Sequence, residues 1–180
     1  MQPTRDKAVS MLFALLLVGA ALPASADDSC VDFKWDVSNE RSLFDTAPAE
    51  LTAGYDRASA PAIVPNRLYR LRLKAQDTVA FAVSPGKQLT GMPAFAGLAT
   101  LKIAAPGSYR IAVDLPFWID VVANGALVRP TDYQGQHSCI APHKIVVFDL
   151  AGAKTFTLQF SNAVMDKVLL TVTLAPPRKL

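Results

Sequence analysis

Phe117-Trp118-Ile119-Asp120-Val121-Val122-Ala123-Asn124-Gly125-Ala126-Leu127-Val128-Arg129 decides the fold class. Residues 117–122 and 126–129 are short runs of branched and aromatic side chains. Between them, Asn124-Gly125 supplies the two positive φ angles that a tight type I′ turn requires, so the stretch reads as a β-hairpin. Neighbours in a strand point to opposite faces, so one of Phe117 and Trp118 looks away from the core unless a second layer covers it.

The same grammar extends in both directions. Residues 98–103 and 109–113 flank Ala105-Pro106-Gly107-Ser108 and read as a second hairpin with a proline-glycine turn. Upstream, Tyr69, Leu71 and Leu73 share one face while Arg70, Arg72 and Lys74 take the other. Val79, Phe81 and Val83 follow, closed by Ser84-Pro85-Gly86. Residues 31–37 alternate as well, with Val31, Phe33, Trp35 and Val37 on one side. Downstream, the runs 144–150, 155–161 and 168–174 complete the series. The stretch 38–65 is rich in Ala, Pro and charge and suits a loop, a short helix or an edge strand. Eight to ten short strands at spacings of roughly 8–12 residues predict an all-β protein, an antiparallel β-sandwich, rather than βαβ units.

The N-terminus carries a different signal. Arg5 and Lys7 precede an apolar run over 8–22, Pro23 breaks it, and Ala24-Ser25-Ala26 offers a signal peptidase its small residues. The run is shorter than the roughly 20 residues a spanning helix needs. Residues 1–26 therefore read as a cleavable signal peptide, and residues 27–180 as a single β-sandwich domain in the periplasm or secreted. No later segment is long and apolar enough to be a membrane-spanning helix. The whole chain has 18 basic and 15 acidic residues; without Arg5, Lys7 and Asp6 these become 16 and 14, a net charge of +2. Such a balance has no basic stripe for nucleic acid.

Four groups of residues could carry function. Cys30 and Cys139 are the two cysteines, and in an oxidising compartment they are expected to pair as a disulfide. His137-Ser138-Cys139-Ile140-Ala141-Pro142-His143 is the one metal-like cluster; imidazole and thiolate suit copper or zinc, with Met92, Asp132 or Met165 as a further ligand. His137, His143 and Asp132 also compose the two-histidine, one-carboxylate set of a non-haem iron centre. A disulfide at Cys139 removes the thiolate from the copper or zinc set. Serine chemistry finds no Gly-x-Ser-x-Gly turn, and Ser84, Ser108 and Ser161 are turn or strand-end serines. Finally, Phe117 and Trp118, with Asp120 as a polar partner, are candidates for an aromatic ligand platform; the plainer reading makes both rings core.

The segments Gly107-Ser108-Tyr109-Arg110, Trp118-Ile119-Asp120-Val121 and Lys144-Ile145-Val146-Val147-Phe148 resemble the pre-peptidase C-terminal domains of exported bacterial peptidases. The resemblance implies a jelly-roll-like sandwich with a binding or accessory role, and it carries over no catalytic residue. The sequence thus leads to an exported, non-catalytic module for an unknown protein or glycan, without a cofactor. The alternative is a small metal-binding protein for copper, zinc or iron, extending to weak oxidoreductase chemistry, on the 137–143 loop.

Overall fold

The computed structural model describes residues 33–87, 93–136, 139, 141–151 and 155–176. Among these are one short α-helix, α1 (Ser38–Phe44), a single 3-10 turn (Gln76–Thr78) and twelve strands. The strands are β1 (Ala49–Thr52), β2 (Ala62–Ile63), β3 (Tyr69–Arg72), β4 (Lys74–Ala75), β5 (Phe95–Lys102) and β6 (Gly107–Val113). They continue with β7 (Trp118–Ala123), β8 (Ala126–Val128), β9 (Asp132–Gly135), β10 (Lys144–Leu150), β11 (Thr155–Ala163) and β12 (Lys167–Leu174).

Two six-stranded sheets result. Sheet I runs β1-β3-β12-β6-β10-β9, and sheet II runs β2-β5-β11-β7-β8, with β4 also paired to β5. The inner strands β3-β12-β6-β10 and β5-β11-β7-β8 have the order that interlocked Greek keys give a jelly roll. The all-β sandwich expected from the sequence is therefore the observed architecture. Its core lies between the sheets: Ile111, Phe148 and Val172 of sheet I meet Leu101, Phe117, Val121, Leu158 and Phe160 of sheet II.

Three local expectations change. Residues 98–103 and 109–113 do not form a hairpin, because β5 pairs with β11 in sheet II while β6 pairs with β10 and β12 in sheet I. Ala105-Pro106-Gly107-Ser108 turns the chain from one sheet into the other, and a turn sequence alone cannot say whether its flanks pair edge to edge or stack face to face. Residues 33–37 are not a strand, although burial alternates as expected, with Phe33 and Val37 buried and Lys34 and Asp36 exposed. Residues 79–83 are not a strand either. The ambiguous stretch 38–65 holds α1, β1 and β2, and both of those strands run parallel to their neighbours, so the sheets are mixed rather than purely antiparallel.

The segment 33–44 covers the outer face of sheet I. Phe33, Val37 and Cys139 close over Ala112, Ile145 and Val147. Asp36 accepts the Ser38 N–H at 2.9 Å, satisfying an amide that no helical carbonyl reaches. That bond is the main reason the Asp36 carboxyl is held below its ordinary pKa. Under the helix, Arg110 Nη1 lies 3.4 Å from Glu40 Oε1 and donates to the Asp36 carbonyl at 2.8 Å. Thr173 Oγ1 donates to the same Glu40 oxygen at 2.5 Å.

The free edge of β5 is covered piecemeal. β4 pairs at Phe95 and Ala96, Gly54 bridges Leu98, and β2 pairs at Thr100 and Leu101.

Candidate functional site

Strand alternation places a second set of side chains on the outer face of sheet II. With Phe117, Ile119 and Val121 in the core, Trp118, Asp120 and Val122 of β7 face outward. On β11 the outward positions are Thr157, Gln159 and Ser161, and on β5 they are Leu98 and Thr100. Register aligns Leu98, Gln159 and Asp120 in one row, and Thr100, Thr157 and Val122 in the next.

The first row lies under a strap formed by residues 79–87. Gln159 and Asp120 are buried, at 1% and 7% exposure, although they lie on the outside of their sheet. The Gln159 side chain accepts the Val83 N–H at 3.1 Å and donates to the Val83 carbonyl at 3.2 Å. Asp120 Oδ2 accepts the Gly86 N–H at 3.0 Å, and Asn162 Nδ2 donates to the Lys87 carbonyl at 3.1 Å. Glycine at position 86 allows this close approach: a Cβ there would lie 2.9 Å from Asp120 Oδ1 and 3.2 Å from Trp118 Nε1, and the carboxylate would have to shift.

The structure thus divides the sequence-selected trio. Phe117 is core, packed edge-on against Phe160 at 5.9 Å between ring centroids. Trp118 faces outward, half-buried, and donates its Nε1–H to Asp120 Oδ1 at 2.8 Å. The ammonium groups of Lys87 and Lys144 stand 5.8 and 5.6 Å from its ring centroid. Lys144 also donates to the Phe117 carbonyl at 2.7 Å. Burial lowers the pKa of Lys144, the neighbouring Lys87 lowers it further, and Asp120 partly offsets both. At this end of the face, the polar atoms of Trp118, Asp120 and Lys144 are bonded within the chain.

The second row is different. Beyond the strap the outer face opens into a cleft of about 290 Å³ lined by Arg57, Thr100, Val122, Asn124, Thr155 and Thr157. Asn124 and Gly125 form the turn of the β7–β8 hairpin with φ of 52° and 77°, as the Asn-Gly pair demands. Arg57 is carried by a small loop in which Asp56 accepts the Ser59 Oγ–H at 2.7 Å and N–H at 2.8 Å. Those bonds hold the Asp56 carboxyl below its ordinary pKa and turn it toward its own loop. The side chains of Arg57, Thr100, Asn124, Thr155 and Thr157 make no hydrogen bond to any of the described residues. Sequence patterning missed this group because threonines in strands are common, and Arg57 comes from a stretch with no periodic signal.

The other sequence candidates scatter. His137, Cys30 and Met92 lie outside the described residues. His143 is half-buried, with its N–H bonded to the Val113 carbonyl at 2.8 Å. Cys139 is fully buried, Met165 is exposed in the turn after β11, and Asp132 pairs with Lys34. Among the described residues no three His, Cys, Asp or Glu side chains converge as metal ligands. None of the described helices is long and apolar enough to cross a membrane. No protein-family model and no curated protein matches the chain.

Proposed function

We propose that this chain is an exported, non-catalytic β-sandwich that works in the periplasm or outside the cell as a binding or accessory module for a protein or glycan. One observation carries the reading: the cleft on sheet II gathers five polar side chains from four segments, none bonded to another described residue. Arg57, Asn124 and Thr155 are exposed and Thr100 and Thr157 half-buried, so all five groups face solvent, where a ligand's polar atoms can replace water. Residues 1–26 provide the export signal, and the likeness to pre-peptidase C-terminal domains agrees with a module role. Fold alone gives no function, so the cleft and not the jelly roll bears the argument.

The proposal includes a disulfide between Cys30 and Cys139. Phe33, three residues after Cys30, packs in the same cluster as Cys139. Three extended residues reach at most about 10 Å, so a bridge from Cys30 to Cys139 is compatible with the position of Phe33. Closing a loop of roughly 110 residues restricts the unfolded chain by about 4–5 kcal/mol in the entropic account. Unfolded, unreduced protein should show no free thiol, and reductant should lower its melting temperature.

The test of function is retention of purified exported protein on immobilised cell-envelope glycans and candidate protein partners. Thr157→Trp, which fills the cleft, should abolish retention while leaving the fold intact. Intact mass should start the exported chain at Asp27. Stoichiometric copper, zinc or iron in that preparation, or retention unchanged by Thr157→Trp, would sink the reading.

A further inference from the structure

The cleft's chemistry narrows its ligand class, on the premise that it is the binding site. Arg57 brings a permanent positive charge and a planar fork of donors that fits a carboxylate in two parallel hydrogen bonds. A second cation stands at the rim, because Lys102 is the cross-strand partner of Thr155 and shares the outward face with Thr100. No acidic side chain lines the cleft, and the adjacent Asp56 carboxylate is engaged by Ser59. An anion therefore meets attraction here without a repelling group.

Apart from Val122, Gly125 and Phe156, the rest of the lining is hydroxyl and amide. Thr100, Thr155 and Thr157 each donate one hydrogen bond and accept others, and Asn124 does both through its amide. An apolar ligand would leave these groups unpaired, at a desolvation cost of about 1–3 kcal/mol each, whereas a polyol matches them in both senses. Val122 gives a small apolar floor in the same row as Thr100 and Thr157. At about 290 Å³ the cleft is at the low end of small-molecule sites, which run roughly 300–1,000 Å³ and hold whole drug-sized ligands. It suits one sugar ring or the end of a glycan chain.

We infer that the cleft binds an acidic sugar, with the carboxylate on Arg57 and the ring hydroxyls on Thr100, Thr157 and Asn124. The Arg57 loop and the β7–β8 turn border the cleft, and a chain end enters from the rim beside Lys102. The contact between guanidinium and carboxylate supplies charge selectivity, and the threonine row supplies the preference for a sugar over a bare anion.

The test is an amide-resolved NMR titration of the mature protein with oligogalacturonate, its neutral galactose counterpart and inorganic phosphate. Oligogalacturonate should shift the amides of Arg57, Thr100, Asn124 and Thr157 and bind at least about tenfold more tightly than the neutral sugar or phosphate, the scale of a charge-assisted hydrogen bond. Arg57→Gln should lose that preference, and Thr157→Val should weaken both sugars together; Arg57 is exposed, so its replacement leaves the fold intact. Equal binding of the neutral sugar, unaffected by Arg57→Gln, overturns the charge assignment but keeps the module reading. Phosphate binding as tightly as the sugar acid overturns the sugar assignment. Shifts centred on Trp118, Lys87 and Lys144 instead overturn the cleft as the site. If none of the three binds, the inference fails, and retention on other partners decides the module reading separately.

Discussion

Gln159 holds Val83 as a neighbouring strand would, accepting its N–H at 3.1 Å and donating to its carbonyl at 3.2 Å. A single side chain thus replaces a ladder for a segment that is not a strand, and it fixes the strap across the outer face of sheet II.

Gln159→Leu should release that strap. It removes both partners of the Val83 backbone and should cost about 2 kcal/mol in urea unfolding. Hydrogen exchange should accelerate at the Val83 and Gly86 amides well before global unfolding. Unchanged protection at both amides would falsify the clasp.

The two adjacent aromatics should respond differently. Phe117→Ala opens a cavity beside Phe160 in the core and should cost about 3–5 kcal/mol. Trp118→Phe keeps a ring on the outer face and loses only the indole N–H to Asp120, so its cost should be about 1 kcal/mol. Equal losses in thermal melts would mean that Trp118 is packed as tightly as Phe117.

Asp114 makes stability depend on pH. Burial raises its pKa above the ordinary 3.8, against the lowering effects of the Leu169 N–H, Arg70 and His143. The folded state therefore holds this proton more tightly than the unfolded chain does. Stability from this group is fully present below pH 3.8 and declines as pH rises through the folded pKa. Asp114→Asn, which retains an oxygen for the Leu169 N–H, should raise the melting temperature at pH 7 and give no gain near pH 3. A gain of the same size at both values would refute the assignment.

The pair under α1 should show strong coupling. Glu40→Leu leaves the Arg110 charge buried, and Arg110→Met leaves that of Glu40; each should cost about 3–5 kcal/mol. The double variant, with no charge left to desolvate, should regain most of that loss. Additive losses in a double-mutant cycle would show that the two side chains act independently.

The sequence made the sheets legible, but not how the strands are distributed between them. Asn124-Gly125 announced its hairpin because the turn needs two residues with positive φ, and that requirement is local. Pro106-Gly107 marks a reversal equally well, yet whether β5 and β6 pair or stack depends on β11 and β10, whose paired residues lie 53–68 and 31–43 positions downstream. The strap resembles a strand for a similar reason. Val79, Phe81 and Val83 alternate, but Gln159 and Asp120, far along the chain, take their backbone and exclude a ladder. Among site residues, Trp118 and Asp120 stood out because aromatic and charged side chains in a strand are conspicuous. The threonines of the cleft gain meaning only when register sets Thr100 beside Thr157.

The patchwork on β5 also limits how this molecule can associate. β2, Gly54 and β4 occupy successive stretches of its outer edge, and the opposite margin of sheet II is the three-residue β8. Sheet I ends in β1 and β9, each of four residues. Edges this short give another polypeptide little backbone to template on, the usual protection against strand-to-strand polymerisation. Even in concentrated solution, these edges should not draw the molecules together.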